Sequence, residues 1–424
     1  MKLLCAPETH VFDPGDGAVH VVLYGQPGDP ARGSAGQAAK QDILRAKLEA
    51  APRAWDLLSI ALSVVTADFA GLRDDSPDGW TREFELEIAV ADPAFWETQA
   101  FQLEATLGFL TTDRWRLRFI GGGVQPAPPR EPIRPDEDSV VLLSGGLDSL
   151  IGASDLVAAG KKPLAISQTV RGDAEKQAEF ARLIGGGLRH LQLNHNAQVP
   201  GTEESSQRAR SFIFIAFGVL AATTLARYRS GEIVPLYICE NGLIALNPPL
   251  TGARIGSLST RTAHPEYLHR IQEILDAAGL RVSVENPYHH LTKGEMMQRC
   301  ADAALLATEA ARSTSCGRFQ RFNYKHCGRC IPCQVRRAAF LASGIPDSTA
   351  YVYERLGKDD EEHAGFEDVR SVAMALAEID RDGFDTWLGS ALSFPHVGDV
   401  APLKALVQRG LSELKTLHEA YGVR

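Results

Sequence analysis

The stretch Val140–Val157, VVLLSGGLDSLIGASDLV, runs from an apolar strand through Ser144-Gly145-Gly146-Leu147-Asp148-Ser149 directly into a helix. Two adjacent glycines let the backbone curl so that successive N–H groups converge on one anion. The start of the helix adds its partial positive charge at the same point. Ser144 and Ser149 bring hydroxyl donors suited to phosphate oxygens. Asp148 differs, because a carboxylate beside phosphates makes sense chiefly as a ligand or orienter of Mg²⁺. No lysine follows the glycines, so this is not a G-x-x-x-x-G-K-[ST] loop. The plain alternative is a capped helix after a strand, with the glycines serving only the turn.

A second cluster lies at Cys316, Cys327, Cys330 and Cys333, spaced C-x10-C-x2-C-x2-C. Four thiolates complete a closed tetrahedral shell around Zn²⁺, the structural type, with no position left for water. Iron–sulfur ligation is the competing chemistry. His326 is a substitute ligand, but four cysteines already satisfy one metal. Cys5, Cys239 and Cys300 stand alone and read as core residues.

The chain has room for about three domains of roughly 150 residues. Its 44% hydrophobic and 23% charged content is ordinary for a globular protein. A net charge of −9 argues against a large nucleic-acid footprint, while leaving room for a local basic pocket. The first residues, MKLLCAPETHVFDPGDG, become acidic and Pro/Gly-rich before any apolar run long enough for export. The apolar run Ser211–Ala226 falls short of the ~20 residues a membrane span needs and reads as a buried helix. A cytoplasmic protein with no membrane partner is expected, whose clustered cysteines hold metal rather than disulfides.

Residues 1–120 show strand patterns at His20–Tyr24, Glu83–Val90 and Trp115–Ile120 and helix patterns at Ala54–Val65 and Pro93–Leu110, a small α/β domain. Residues 121–138 are Gly- and Pro-rich and read as a linker. From Ser139, strand runs at Val140–Leu143, Leu164–Thr169, His190–Leu193, Val234–Cys239 and Val282–Glu285 alternate with helices starting near Leu147, Asp173, Gln207, Pro265 and Thr292. That alternation predicts a doubly wound parallel sheet with helices on both faces and a ligand at the strands' carboxyl ends. Residues 346–424 read as helical, with a solvated acidic run at Lys358–His363.

The loop resembles the SGGxDS loop of PP-loop ATP pyrophosphatases, and with the cysteines it resembles the QueC-like 7-cyano-7-deazaguanine synthases. The likeness spans Ser139–Ser343. It includes Arg336 and Phe340 after Cys333, Lys293 and Glu295 in NPYHHLTKGEMM, and the Arg-bearing helix start QRARSFIFIAF. It implies a HUP-like core over 139–345 that uses ATP, Mg²⁺ and Zn²⁺. Asp148, Ser149 and Lys293 are then catalytic, and Ser144, Gly145, Gly146, Leu147, Asp148, Ser149 and Arg210 hold ATP. Cys316, Cys327, Cys330 and Cys333 hold the zinc. The implied reaction is adenylation of 7-carboxy-7-deazaguanine, releasing pyrophosphate, followed by amide formation. In QueC-like enzymes ammonia is the amine, and a second ATP turns the amide into a nitrile.

The order of N-terminal domain, QueC-like core and helical tail is similar to the QatC family of bacterial Qat anti-phage systems, which implies a role in antiviral defence. Two family elements are absent: the Tyr-Gly-Gln-Lys/Arg-His run after the second strand, replaced by SQTVRGDAEKQ, and the Asp-Cys-Arg element. The latter's place is taken by Glu240–Pro265, with Asn241, Arg254, Thr260, Arg261 and Thr262 near the end of the fourth strand. ATP activation is thus expected to survive while the substrate pocket changes. An amine of a partner protein from the same operon is then the expected acceptor; nitrile synthesis and tRNA modification are the alternatives. Lys293 as a plain surface lysine at a helix start is an equal alternative to its catalytic role. His289 and His290 receive no role.

Overall fold

The computed structural model describes residues 1–169, 172–205, 207–250, 261–357, 366–396 and 399–423. Its strands are β1 (Lys2–Pro7), β2 (Val19–Leu23), β3 (Gly33–Ala35), β4 (Glu83–Ala89), β5 (Arg114–Ile120), β6 (Ser139–Leu142), β7 (Pro163–Gln168), β8 (His190–Leu193), β9 (Val234–Tyr237) and β10 (Val282–Glu285). The helices in the first half are α1 (Gln37–Arg45), α2 (Pro52–Ala70), α3 (Pro93–Thr111), α4 (Leu147–Ala158), α5 (Ala174–Leu183) and α6 (Arg210–Ala222). There follow α7 (Ala226–Arg229), α8 (Gly242–Leu246), α9 (Pro265–Ala277), α10 (Lys293–Arg299), α11 (Ala303–Glu309), α12 (Ile331–Ser343), α13 (Phe366–Asp382), α14 (Phe384–Leu388) and α15 (Val400–Ala420).

Among the described residues two five-stranded sheets form, ordered β3-β2-β1-β4-β5 and β10-β9-β6-β7-β8, and every strand pair is parallel. In each sheet the first strand in sequence is central and the order reverses beside it. Strands covered on both faces read as continuous apolar runs, and β6 and β7 are buried along their whole length. The central strand β1 escapes the sequence pattern because six residues, KLLCAP, show no period. β3 escapes it because Gly-Ser-Ala has no strand preference and is fixed by pairing with Val21–Leu23.

Helix α2 joins the two sheets. Of its 19 residues 16 are buried, so it is enclosed on all sides, with Asp56, Ser59, Ser63, Thr66 and Asp68 among the buried residues. It packs on β2, β3 and β4 with one side and on α6 with the other, while α6 packs on β6, β7 and β9. One hydrophobic core therefore runs from Leu3 through both helices to Val282. Residues 121–138 hold no helix or strand but are tied down: Ile133 N–H donates to Lys47 O (2.9 Å), and Pro135 O accepts from Ala226 N–H (2.9 Å). The C-terminal helices form their own apolar cluster, in which α13 and α15 pack against α12 and α15 also against α8. The acidic run Lys358–His363 lies outside the described residues. Among the described residues, no helix is long and apolar enough to cross a membrane.

Candidate functional site

The Ser144–Ser149 loop follows the central strand β6. It turns at Gly145, whose φ of +85° is a left-handed conformation that side chains resist. A Cβ on Gly146 would meet both Ser144 Oγ and Thr314 O at 3.1 Å, a tight approach that favours glycine there. The segment preceding the cysteines lies against this loop, with Thr314 N–H donating to Gly145 O at 2.9 Å. Ser144 Oγ accepts from Gly146 N–H (3.2 Å) and meets Ser149 Oγ (3.1 Å); Ser149 also donates to Gly146 O (3.0 Å).

Asp148, on the first turn of α4, sits where strand order reverses between β6 and β9, the usual ligand crevice of such sheets. Lys293 Nζ reaches Asp148 Oδ1 at 2.5 Å, and both side chains are buried. Oδ2 accepts from the Asn241 backbone N–H (3.0 Å) and from Asn241 Nδ2 (2.7 Å). Burial pushes the Asp148 pKa up, but the Lys293 charge and the surrounding donors bring it below the ordinary carboxylate value. Glu240 behaves oppositely: burial, then the Asp148 charge, lifts its pKa well above the ordinary carboxylate value.

Lys293 is therefore no surface residue. A capping box between Thr292 and Glu295 starts its helix, and Glu413 of α15 bonds Thr292 Oγ1. Glu240 was not singled out by the sequence pattern. The available signal was its position, a carboxylate directly at the carboxyl end of a strand.

Ser144, Gly146, Asp148, Ser149, Glu240, Lys293 and Arg210 line a cleft of about 270 Å³. Arg210, Asp173 and Thr314 also line an adjoining cavity of about 1060 Å³, whose further walls include Phe69, Asn194, Arg318 and Phe319. Gly145 and Leu147 flank the same turn, with Leu147 buried in the core beneath it. Arg261 is occupied elsewhere, donating to Phe109 O (2.9 Å) and lying over the Phe109 ring. Arg254 and Thr260 lie outside the described residues. His289 and His290 are exposed.

The four cysteines come together, all buried, with their sulfurs within 4.8 Å of one another. Cys316 and Cys330 sulfurs are 3.8 Å apart and those of Cys327 and Cys333 3.9 Å. A tetrahedron with Zn–S bonds of about 2.3 Å has edges of about 3.8 Å, so the donor set fits one zinc ion. A polynuclear iron–sulfur cluster would hold its thiolates much further apart. Backbone N–H groups of Arg318 and Cys327 donate to Cys316 Sγ at 3.4 Å, and that of Cys330 to Cys327 Sγ at 3.2 Å. His326 stands outside the set, its Nε2 accepting from Ser315 N–H. Buried Arg336 reaches Ser313, Ser315, Ala310 and Thr349, which fixes the segment lying on the anion loop.

The fold and site thus define a doubly wound α/β protein with a glycine turn at the switch point and a four-cysteine centre beside it. The family model described as "Queuosine biosynthesis protein QueC" matches residues 262–344, a segment holding Lys293 and all four cysteines. The chain is 25% identical over 241 residues to a 7-cyano-7-deazaguanine synthase of Rhizorhabdus wittichii, covering 50% of this chain and 95% of that protein. It is 27% identical over 239 residues to 7-cyano-7-deazaguanine synthase 1 of Sphingopyxis alaskensis, covering 50% and 97%. With the synthase of Brucella canis the identity is 28% over 238 residues, covering 50% and 93%. Over half its length the chain is a homologue of such synthases, and the other half has no counterpart in them.

Proposed function

We propose that this protein binds ATP at the Ser144–Ser149 loop and adenylates the carboxylate of a 7-deazaguanine, releasing pyrophosphate. The observation that carries the proposal is the cleft itself, where the Ser144–Ser149 glycine turn faces Lys293, Arg210, Asp148 and Glu240 at the strand-order reversal. Phosphoryl chemistry of this kind asks the protein mainly for positioning and charge neutralisation. A substrate carboxylate oxygen attacks the α-phosphorus, and the bond to the β-phosphate oxygen breaks. The loop amides and Arg210 hold the departing pyrophosphate. Asp148 would supply a hard oxygen donor of the kind Mg²⁺ prefers, and the ion would neutralise phosphate charge there. Lys293 fixes Asp148.

An amine then attacks the acyl carbonyl, AMP leaves, and the amine loses a proton to give an amide. The acceptor in this proposal is an amine of a partner protein in a Qat-type antiviral system. Support comes from the long extensions flanking the synthase-like half and from the cavity beside the loop. The catalytic residues are Asp148, Ser149 and Lys293, with zinc at the four cysteines as a structural ion, in a cytoplasmic enzyme.

The test is ATP turnover with Mg²⁺ and 7-carboxy-7-deazaguanine, separating AMP from ADP, and intact-mass analysis of a candidate partner. Substrate-dependent AMP supports adenylation, and a mass increase on the partner supports the acceptor. ADP as the product would refute adenylation. Substrate-dependent AMP with an unchanged partner mass and a nitrile product would refute the protein acceptor alone.

A further inference from the structure

Residues 1–120 take no part in the reaction as set out above, yet one of their side chains governs the start of the helix that carries Arg210. Asp68, near the end of α2, is fully buried. Its Oδ2 accepts from the backbone N–H groups of Arg208 (2.7 Å) and Ala209 (2.8 Å), the two residues leading into α6. Ala209 is the helix N-cap and has no side-chain oxygen of its own to hold that turn. Oδ1 takes Arg82 Nη2 at 2.5 Å, and Arg82 is braced in turn by Asp113 at 2.6 Å.

The preceding residues are held to the same half of the chain. Arg208 donates to Thr111 O and Thr112 Oγ1 and lies over the Trp80 ring, while Glu204 N–H donates to Phe69 O. The guanidinium of Arg210, the next residue, makes no hydrogen bond or ion pair among the described residues and lines both cavities. A buried carboxylate is costly unless it is fully partnered, and this one spends two of its partners on a backbone 140 residues away.

We propose that Asp68 is a positioning residue for Arg210: by fixing the backbone at 208–209 it aims the guanidinium at the phosphates of a bound nucleotide. Residues 1–120 are thereby part of the ATP site rather than an appended module. The inference rests on the ATP reading above.

Calorimetric titration of the full chain with Mg²⁺ and α,β-methylene-ATP tests it, using wild type, Asp68→Asn, Arg210→Ala and the double variant. Each single variant is expected to bind roughly ten- to hundredfold more weakly, and the double no more weakly than Arg210→Ala alone. A merely structural Asp68 would give effects that multiply in the double variant, and that result overturns the proposal, as does wild-type binding by Asp68→Asn. If Asp68→Asn does not fold, Arg82→Lys replaces it, which keeps the buried charge but gives up the fork that holds the Asp68 carboxylate between Arg82 and the 208–209 backbone. A wild-type chain that does not bind the nucleotide refutes the ATP site and this inference together; multiplying effects refute the inference alone.

Discussion

Replacing Lys293 by methionine keeps most of the side-chain volume and removes the charge 2.5 Å from Asp148 Oδ1, where both side chains are only 7% exposed. Removing one partner of a buried pair costs about 3–5 kcal/mol, because the other charge stays buried and uncompensated. The pH dependence follows from the direction of the Asp148 shift. In the wild type its folded pKa is depressed, so its stabilisation is present above the unfolded value of about 4 and lost as pH falls through the lower folded value. Without Lys293, burial dominates and the folded pKa rises above the unfolded one. The variant then loses stability as pH rises, by about 1.4 kcal/mol for each unit of upward shift. The deficit should therefore be larger at pH 8 than at pH 5, as read by urea unfolding followed through tryptophan fluorescence. Lys293→Met combined with Asp148→Asn should recover much of the loss, since no lone buried charge remains. A deficit under about 1 kcal/mol at pH 8, or one equal at both pH values, would refute the pairing as the source of stability.

Gly145→Ala should lower stability by about 1–2 kcal/mol, because φ is +85° there, and should weaken pyrophosphate binding; thermal melting and calorimetry read the two effects. Cys333→Ser should lower zinc content per chain in elemental analysis. Nucleotide affinity should fall with it, because the cysteine arm holds Thr314 against Gly145. Arg336→Lys keeps the charge but cannot span Ser313, Ala310 and Thr349 with one ammonium. A loss of about 2 kcal/mol in denaturant unfolding is expected, and an unchanged midpoint would show that the fork geometry is dispensable.

The glycine turn, the clustered cysteines and the parallel core sheet were legible in the sequence because each is local. A strand, two glycines and a helix start are contiguous, four cysteines fall within eighteen residues, and β6 to β10 each carry an apolar run. Turn chemistry and short-range spacing set backbone conformation without reference to the rest of the chain. What only the tertiary structure decided is which distant residues meet. Lys293 lies 145 residues from Asp148, Asn241 lies 93 from it, and Asp68 lies 140 from Arg208. Sequence pattern left Lys293 equally balanced between surface and site, gave Glu240 no role, and showed β1 neither as a strand nor as central. The physical reason is strand order. Periodicity states that a segment is a buried strand, but its neighbours are chosen by how the covered faces pack, and α2 between two sheets settles that for both halves at once.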